Sequence, residues 1–94
     1  MTAEVRIPTI LRSYTDGAKA VSGEGATLSE LIENLEAKHP GIKERLVEDK
    51  NGDSDLRRFV NVYVNDEDVR FTGGLATSID EGDQVVVLPA VAGG

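Results

Sequence analysis

A chain of 94 residues has room for one domain and one core, and no run in it approaches the roughly 20 apolar residues of a transmembrane helix. The absence of cysteine excludes disulfides, thiolate nucleophiles, iron–sulfur clusters and cysteine-rich zinc sites, and a single histidine, His39, cannot build a histidine-based metal site. The formal charge of −7, from 17 acidic and 10 basic residues, has the wrong sign for nucleic acid and disfavours anionic lipid.

Residues 4–11, "EVRIPTIL", read as a first strand with Val5 and Ile7 on one side. Pro8 cannot donate to a ladder, so a bulge or a locally unpaired position is expected there. Thr15-Asp16-Gly17 is a turn, leading to a second strand through Ala18–Ser22 and hence a hairpin. "TLSELIENLEAKHPG" follows. Thr27 with Glu30 three residues on forms a capping-box pattern, and Leu28, Leu31, Ile32 and Leu35 share one helical face. Lys38 and His39 sit in the last turn, where positive charge suits the dipole, and Pro40-Gly41 stops the helix.

"IKERLVED" supplies one more helical turn with Ile42 and Leu46 inward, and "DKNGDSD" is by composition a polar loop. In "RFVNVYVN", Val60, Val62 and Val64 alternate with Phe59, Asn61 and Tyr63, the period of a strand. "NDED" turns, "VRF" returns as a short strand, and "TGGLATSIDEGD" is a loop with at most one helical turn. "QVVVLPAV" is the last strand, with Pro89 ending its pairing.

The order is strand, strand, helix, strand, short strand, strand. One main helix must pack on one face of a mixed sheet of four to five strands, because no other element can bury that face. The expected class is α+β with the β-grasp arrangement, first and last strands side by side at the centre. Leu28, Leu31, Ile32, Leu35, Val60, Val62, Val64, Val85 and Val87 should form its core. Residues 1–88 are expected to be the domain and residues 89–94 a flexible tail.

Enzyme signatures are weak. No Ser, His and Asp set can form a triad when the one histidine ends a helix. Gly23 and Gly25 in "SGEGATLSE" lack the Lys-Ser/Thr of a phosphate loop and read as a plain loop leading to the N-cap. Asp66, Glu67 and Asp68 read as a solvated turn tip. "DKNGDSD" lacks the spacing of a calcium loop. No catalytic residue, metal ligand or bound cofactor is expected.

The end of the sequence, "LPAVAGG", is different. Two final glycines occur by chance in about 1 chain in 200. From Pro89, six extended residues span roughly 20 Å, and Ala92, Gly93 and Gly94 offer little beyond backbone. Such a tail could thread a narrow tunnel and deliver its carboxylate to another protein's active site, in which case the chain would be a substrate. Leu88 has the parity opposite to Val85 and Val87, and Phe71 lies on the neighbouring short strand. With Pro89 and Val91 at the tail root they are the candidate partner-docking residues.

"VNVYVNDEDVRF…GLATSIDEGDQVVVLPAVAGG" resembles the ubiquitin-like sulfur carriers (MoaD/ThiS-like), the family of the molybdopterin synthase small subunit and the thiazole-forming carrier. The strand ending in Asn65, the Asp80-Glu81-Gly82-Asp83 turn, the closing strand with its proline and Gly93-Gly94 match in order and spacing. "IPTILR" and "GEGATLSELIENLEAKHPGIKERL" are similar to the actinobacterial branch that serves cysteine biosynthesis.

The resemblance implies that an adenylyltransferase/sulfurtransferase of the ubiquitin-activating type uses ATP and a sulfur donor to convert the Gly94 carboxylate to an adenylate, then a thiocarboxylate. It further implies a pyridoxal-phosphate cysteine synthase, acting on O-phosphoserine, and a zinc metalloprotease that releases cysteine. The protein would be a monomer when free, without nucleic-acid or membrane partners and cytoplasmic, in keeping with an opening "MTAEVRIPTILRSY" that lacks a secretory pattern. Alternatives are a molybdopterin synthase small subunit, a thiazole-pathway carrier, a lysine-conjugated protein modifier and a β-grasp binding module.

Overall fold

The computed structural model describes residues 1–50, 53–57 and 60–89. Its main sheet has five strands: β1 (Thr2–Arg6), β2 (Ala20–Glu24), β5 (Val60–Val64), β6 (Glu67–Asp68) and β7 (Gln84–Pro89). They run in the order β2-β1-β7-β5-β6. β1 and β7 pair in parallel, with Val5 opposite Val85, and the other pairs are antiparallel. This is the expected mixed sheet with its first and last strands central.

Helix α1 (Leu28–Lys38) covers one face, as its period requires. Thr27 Oγ1 accepts the Glu30 N–H at 3.3 Å, while Glu30 Oε1 accepts the Ala26 N–H at 3.0 Å. That reciprocal pair fixes the helix start. Leu28, Leu31, Ile32 and Leu35 are all buried, together with Val5, Ile7, Val62, Val64, Val85 and Val87. Val60, expected in the core, is only half-buried and packs against it. It is the first residue of β5, opposite Pro89 at the end of β7. His39 caps α1, its N–H reaching Leu35 O at 2.7 Å.

Helix α2 (Ile42–Leu46) buries Ile42 and Leu46. Glu36 joins it to α1: its carboxylate accepts the backbone N–H groups of Gly41 and, at 2.9 Å, Lys43. Those two donors hold the Glu36 carboxyl below the usual carboxylate range. The Lys43 ammonium pairs with Glu33 of α1, which raises its pKa.

Several local expectations are corrected. The first strand stops at Arg6 rather than running to Leu11, and Pro8 is the locally unpaired position expected, outside the ladder. It precedes a 3-10 helix over Thr9–Thr15, and at φ −67° it suits a position where no N–H is required. The Thr15-Asp16-Gly17 turn is present, with Asp16 and Gly17 at positive φ, but β2 begins at Ala20.

The polar loop is instead a separate hairpin of β3 (Val47–Lys50) and β4 (Asp53–Leu56). One apolar residue from each strand, Val47 opposite Leu56, reaches the core and anchors it. Residues 65–71 also shift register. Asn65 and Asp66 both take positive φ, so the turn is two residues long and Glu67 already pairs with Val64. Val69–Phe71 is then a 3-10 helix, not a strand, capped by Asp68 accepting the Arg70 N–H at 2.9 Å.

Gly25 lies in the loop leading to the N-cap, as expected, but Gly23 does not. Gly23 is buried in β2, and a Cβ there would overlap Leu31 Cδ1. A Cβ at Gly25 would lie 2.5 Å from the Leu31 backbone nitrogen. No helix among the described residues is long and apolar enough to cross a membrane.

Candidate functional site

The start of β7 is held from three sides. Asn65 donates through Nδ2 to Asp83 Oδ1 at 2.8 Å and accepts the Gln84 N–H on its Oδ1 at 3.0 Å. Asp83 Oδ2 accepts the Asp80 N–H at 2.8 Å, which closes the turn on itself. On the other flank Glu4 N–H donates to Asp83 O, and Gly82 N–H donates to Thr2 O. The Asp80–Asp83 segment is thus a clamp that sets the register of β7 against both neighbours.

A strand fixed at its start has a defined direction at its end. Val86 lies between Arg6 of β1 and Tyr63 of β5, Leu88 opposite Asn61, and Pro89 opposite Val60. Helix α1 covers the face of Val85 and Val87, so the alternate residue Leu88 emerges on the open face, 46% exposed. The residues that would follow, Ala90–Gly94, lie outside the described residues; Val91, Ala92, Gly93 and Gly94 of the candidate site are among them.

Of the docking candidates, Leu88 and Phe71 are both exposed. Leu88 lines a groove of about 510 Å³ between the ends of β1 and β7 and the 3-10 helix Thr9–Thr15. Phe71, 88% exposed, does not line it. It follows Arg70, whose guanidinium bonds Asn61 Oδ1 and Val60 O at the far side of β5. The other exposed large hydrophobic residue lining the groove is Ile10, 62% exposed. Sequence reading missed it by extending the first strand through it; Pro8 was the available signal.

The ThiS family model matches residues 5–94. The sulfur carrier protein CysO of Mycobacterium tuberculosis is 60% identical over 94 residues, covering 100% of both chains. A chain in the crystal structure of the Amycolatopsis orientalis BexX/CysO complex superposes with a TM-score of 0.90 at 54% identity, covering 98% of this chain and 99% of that one. Small archaeal modifier protein 3 of Haloferax volcanii is 39% identical over 71 residues, 76% of this chain and 73% of that protein.

Proposed function

The chain belongs to the ThiS family, and from that premise we propose that it is a sulfur carrier whose cargo rides on the main-chain carboxylate of Gly94. The end-to-end identity with the M. tuberculosis carrier is the observation that carries this reading. Activation attaches AMP from ATP to the carboxylate and releases pyrophosphate. Sulfide from a donor then displaces AMP and leaves a thiocarboxylate. The activating enzyme is an adenylyltransferase/sulfurtransferase of the ubiquitin-activating type.

The accepting step is cysteine formation. On a pyridoxal-phosphate cysteine synthase, O-phosphoserine loses phosphate to give an aminoacrylate, and the thiocarboxylate sulfur adds to its β-carbon. Transfer of the acyl group from sulfur to the amine leaves a cysteine in peptide linkage after Gly94. A zinc metalloprotease hydrolyses that bond and regenerates the carrier. The chain is a co-substrate in this cycle. Its own part is to present Ala92, Gly93 and Gly94, which carry almost no side chain, beyond the fixed exit of β7.

Conjugation of activated Gly94 to lysines is a second reading, favoured by the likeness to a small archaeal modifier. Intact-mass analysis with the activating enzyme, ATP and sulfide tests the first. One oxygen should be exchanged for sulfur at Gly94, and the cysteine synthase with O-phosphoserine should then add one cysteine residue. A thiocarboxylate without that adduct moves the chain to the molybdopterin or thiazole branch, lysine conjugates favour the second reading, and no modification of Gly94 overturns the carrier assignment.

A further inference from the structure

The groove beside Leu88 is charged as well as apolar. Arg6, Arg12 and Lys19 line it, and none of its lining residues is acidic, although the chain has 17 acidic residues and only 10 basic ones. The convergence has a structural cause. Pro8 ends β1 and sends the chain into the 3-10 helix, which brings Arg12 back so that its Nε–H donates to Ile7 O at 3.1 Å. Lys19 O accepts the N–H of the same Ile7 at 2.8 Å. Arg6 stands next to Val86 in the β1–β7 register. Arg6 and Lys19 are exposed, and neither has a carboxylate partner among the described residues.

We infer that this groove docks a short acidic segment bearing apolar side chains, carried by the protein that receives the tail. That the groove's partner is the tail's recipient rests on the carrier reading above; the groove's chemistry does not. The apolar surfaces of Ile10 and Leu88 meet side chains, while the three cations meet carboxylates. Complementary charge at the rim steers the encounter and fixes its register against the end of β7. A polyanion such as RNA suits the groove less well. Beyond a Debye length of about 8 Å it would meet the surrounding carboxylates of a chain that is net negative, whereas a short segment stays within the basic patch.

The test is an NMR titration of the 15N-labelled full chain with a blocked synthetic peptide, Glu-Leu-Asp-Phe-Glu-Leu. Amide shifts should concentrate at residues 6–12, 19 and 86–88 and should fade as salt is raised. Binding should weaken about tenfold or more in Arg6→Glu/Lys19→Glu, since like charges then face each other. Arg12 is left unchanged because it holds Ile7. If the double reversal fails to fold, Arg6→Gln/Lys19→Gln carries the same comparison. Shifts elsewhere or none, binding indifferent to the substitutions, or a stronger response to a uridine oligonucleotide or phosphatidylserine vesicles would overturn the inference. None of these outcomes depends on Gly94, so a failure of the groove and a failure of the carrier reading are distinguishable.

Discussion

Leu31 occupies the space that a side chain on Gly23 would need. The two residues sit on different elements, and their contact sets how closely α1 lies on β2. Gly25 stands against the backbone of the same turn of helix.

The two glycines should therefore respond differently to substitution. Gly23→Ala meets the end of a side chain and should destabilise by about 1–3 kcal/mol, the usual range for overpacking. Gly25→Ala meets backbone atoms that cannot turn aside and should cost more. Urea unfolding of both variants checks the order; equal effects would contradict it.

Leu31 itself is fully buried. Leu31→Ala should destabilise by about 2–5 kcal/mol through lost burial and the cavity left behind. A near-zero change in denaturant unfolding would remove Leu31 from the core.

Glu36 gives the fold an acid-sensitive joint between α1 and α2. Its folded pKa is lowered by the N–H groups of Lys43 and Gly41, so its contribution is present above the unfolded value. It is lost as pH falls through the folded value. The stability difference between the native chain and Glu36→Gln should be constant near neutrality and shrink once the pH drops below the ordinary glutamate range. Thermal melts across that range check it, and a difference that grows on acidification would reverse the sign.

The outer edge of β2 is guarded from α1. Glu24 N–H donates to Asn34 Oδ1 at 3.0 Å, and Lys38 Nζ donates to Ser22 O at 3.3 Å. These are backbone groups that an unprotected edge would offer to another chain. Asn34→Ala/Lys38→Ala should fold but self-associate as concentration rises. Sedimentation or size-exclusion measurements check this, and an unchanged elution position would mean the edge is protected by other means.

Leu88 and the tail should separate folding from function. Leu88→Asp, on the open face, should melt within a few degrees of the native chain yet slow Gly94 activation by about tenfold or more, on the scale of losing one central apolar contact. Deleting Gly94 should leave the fold unchanged and the chain inert. A large drop in melting temperature for either variant would place the altered residue in the core instead.

Parts of the molecule with local or periodic signals were legible before any contact was known. Thr27 and Glu30 cap α1 across a single turn, four leucine and isoleucine positions mark its inner face, alternating valines mark β5 and a valine run marks β7. The Gly93-Gly94 ending and the Asp80–Asp83 turn also pointed to the family through their spacing. Other elements depended on partners distant in sequence. β3 and β4 carry one core residue each and look polar alone; the Asn51-Gly52 pair, outside the described residues, was the one hairpin signal between them. Gly23 and Gly25 look like linker until Leu31 is placed above them. The groove is the clearest case. The pairing of β1 with β7 follows from the element order. The 3-10 helix after Pro8, however, brings Ile10 and Arg12 beside Arg6 and Leu88, a contact between distant residues that no periodic pattern specifies.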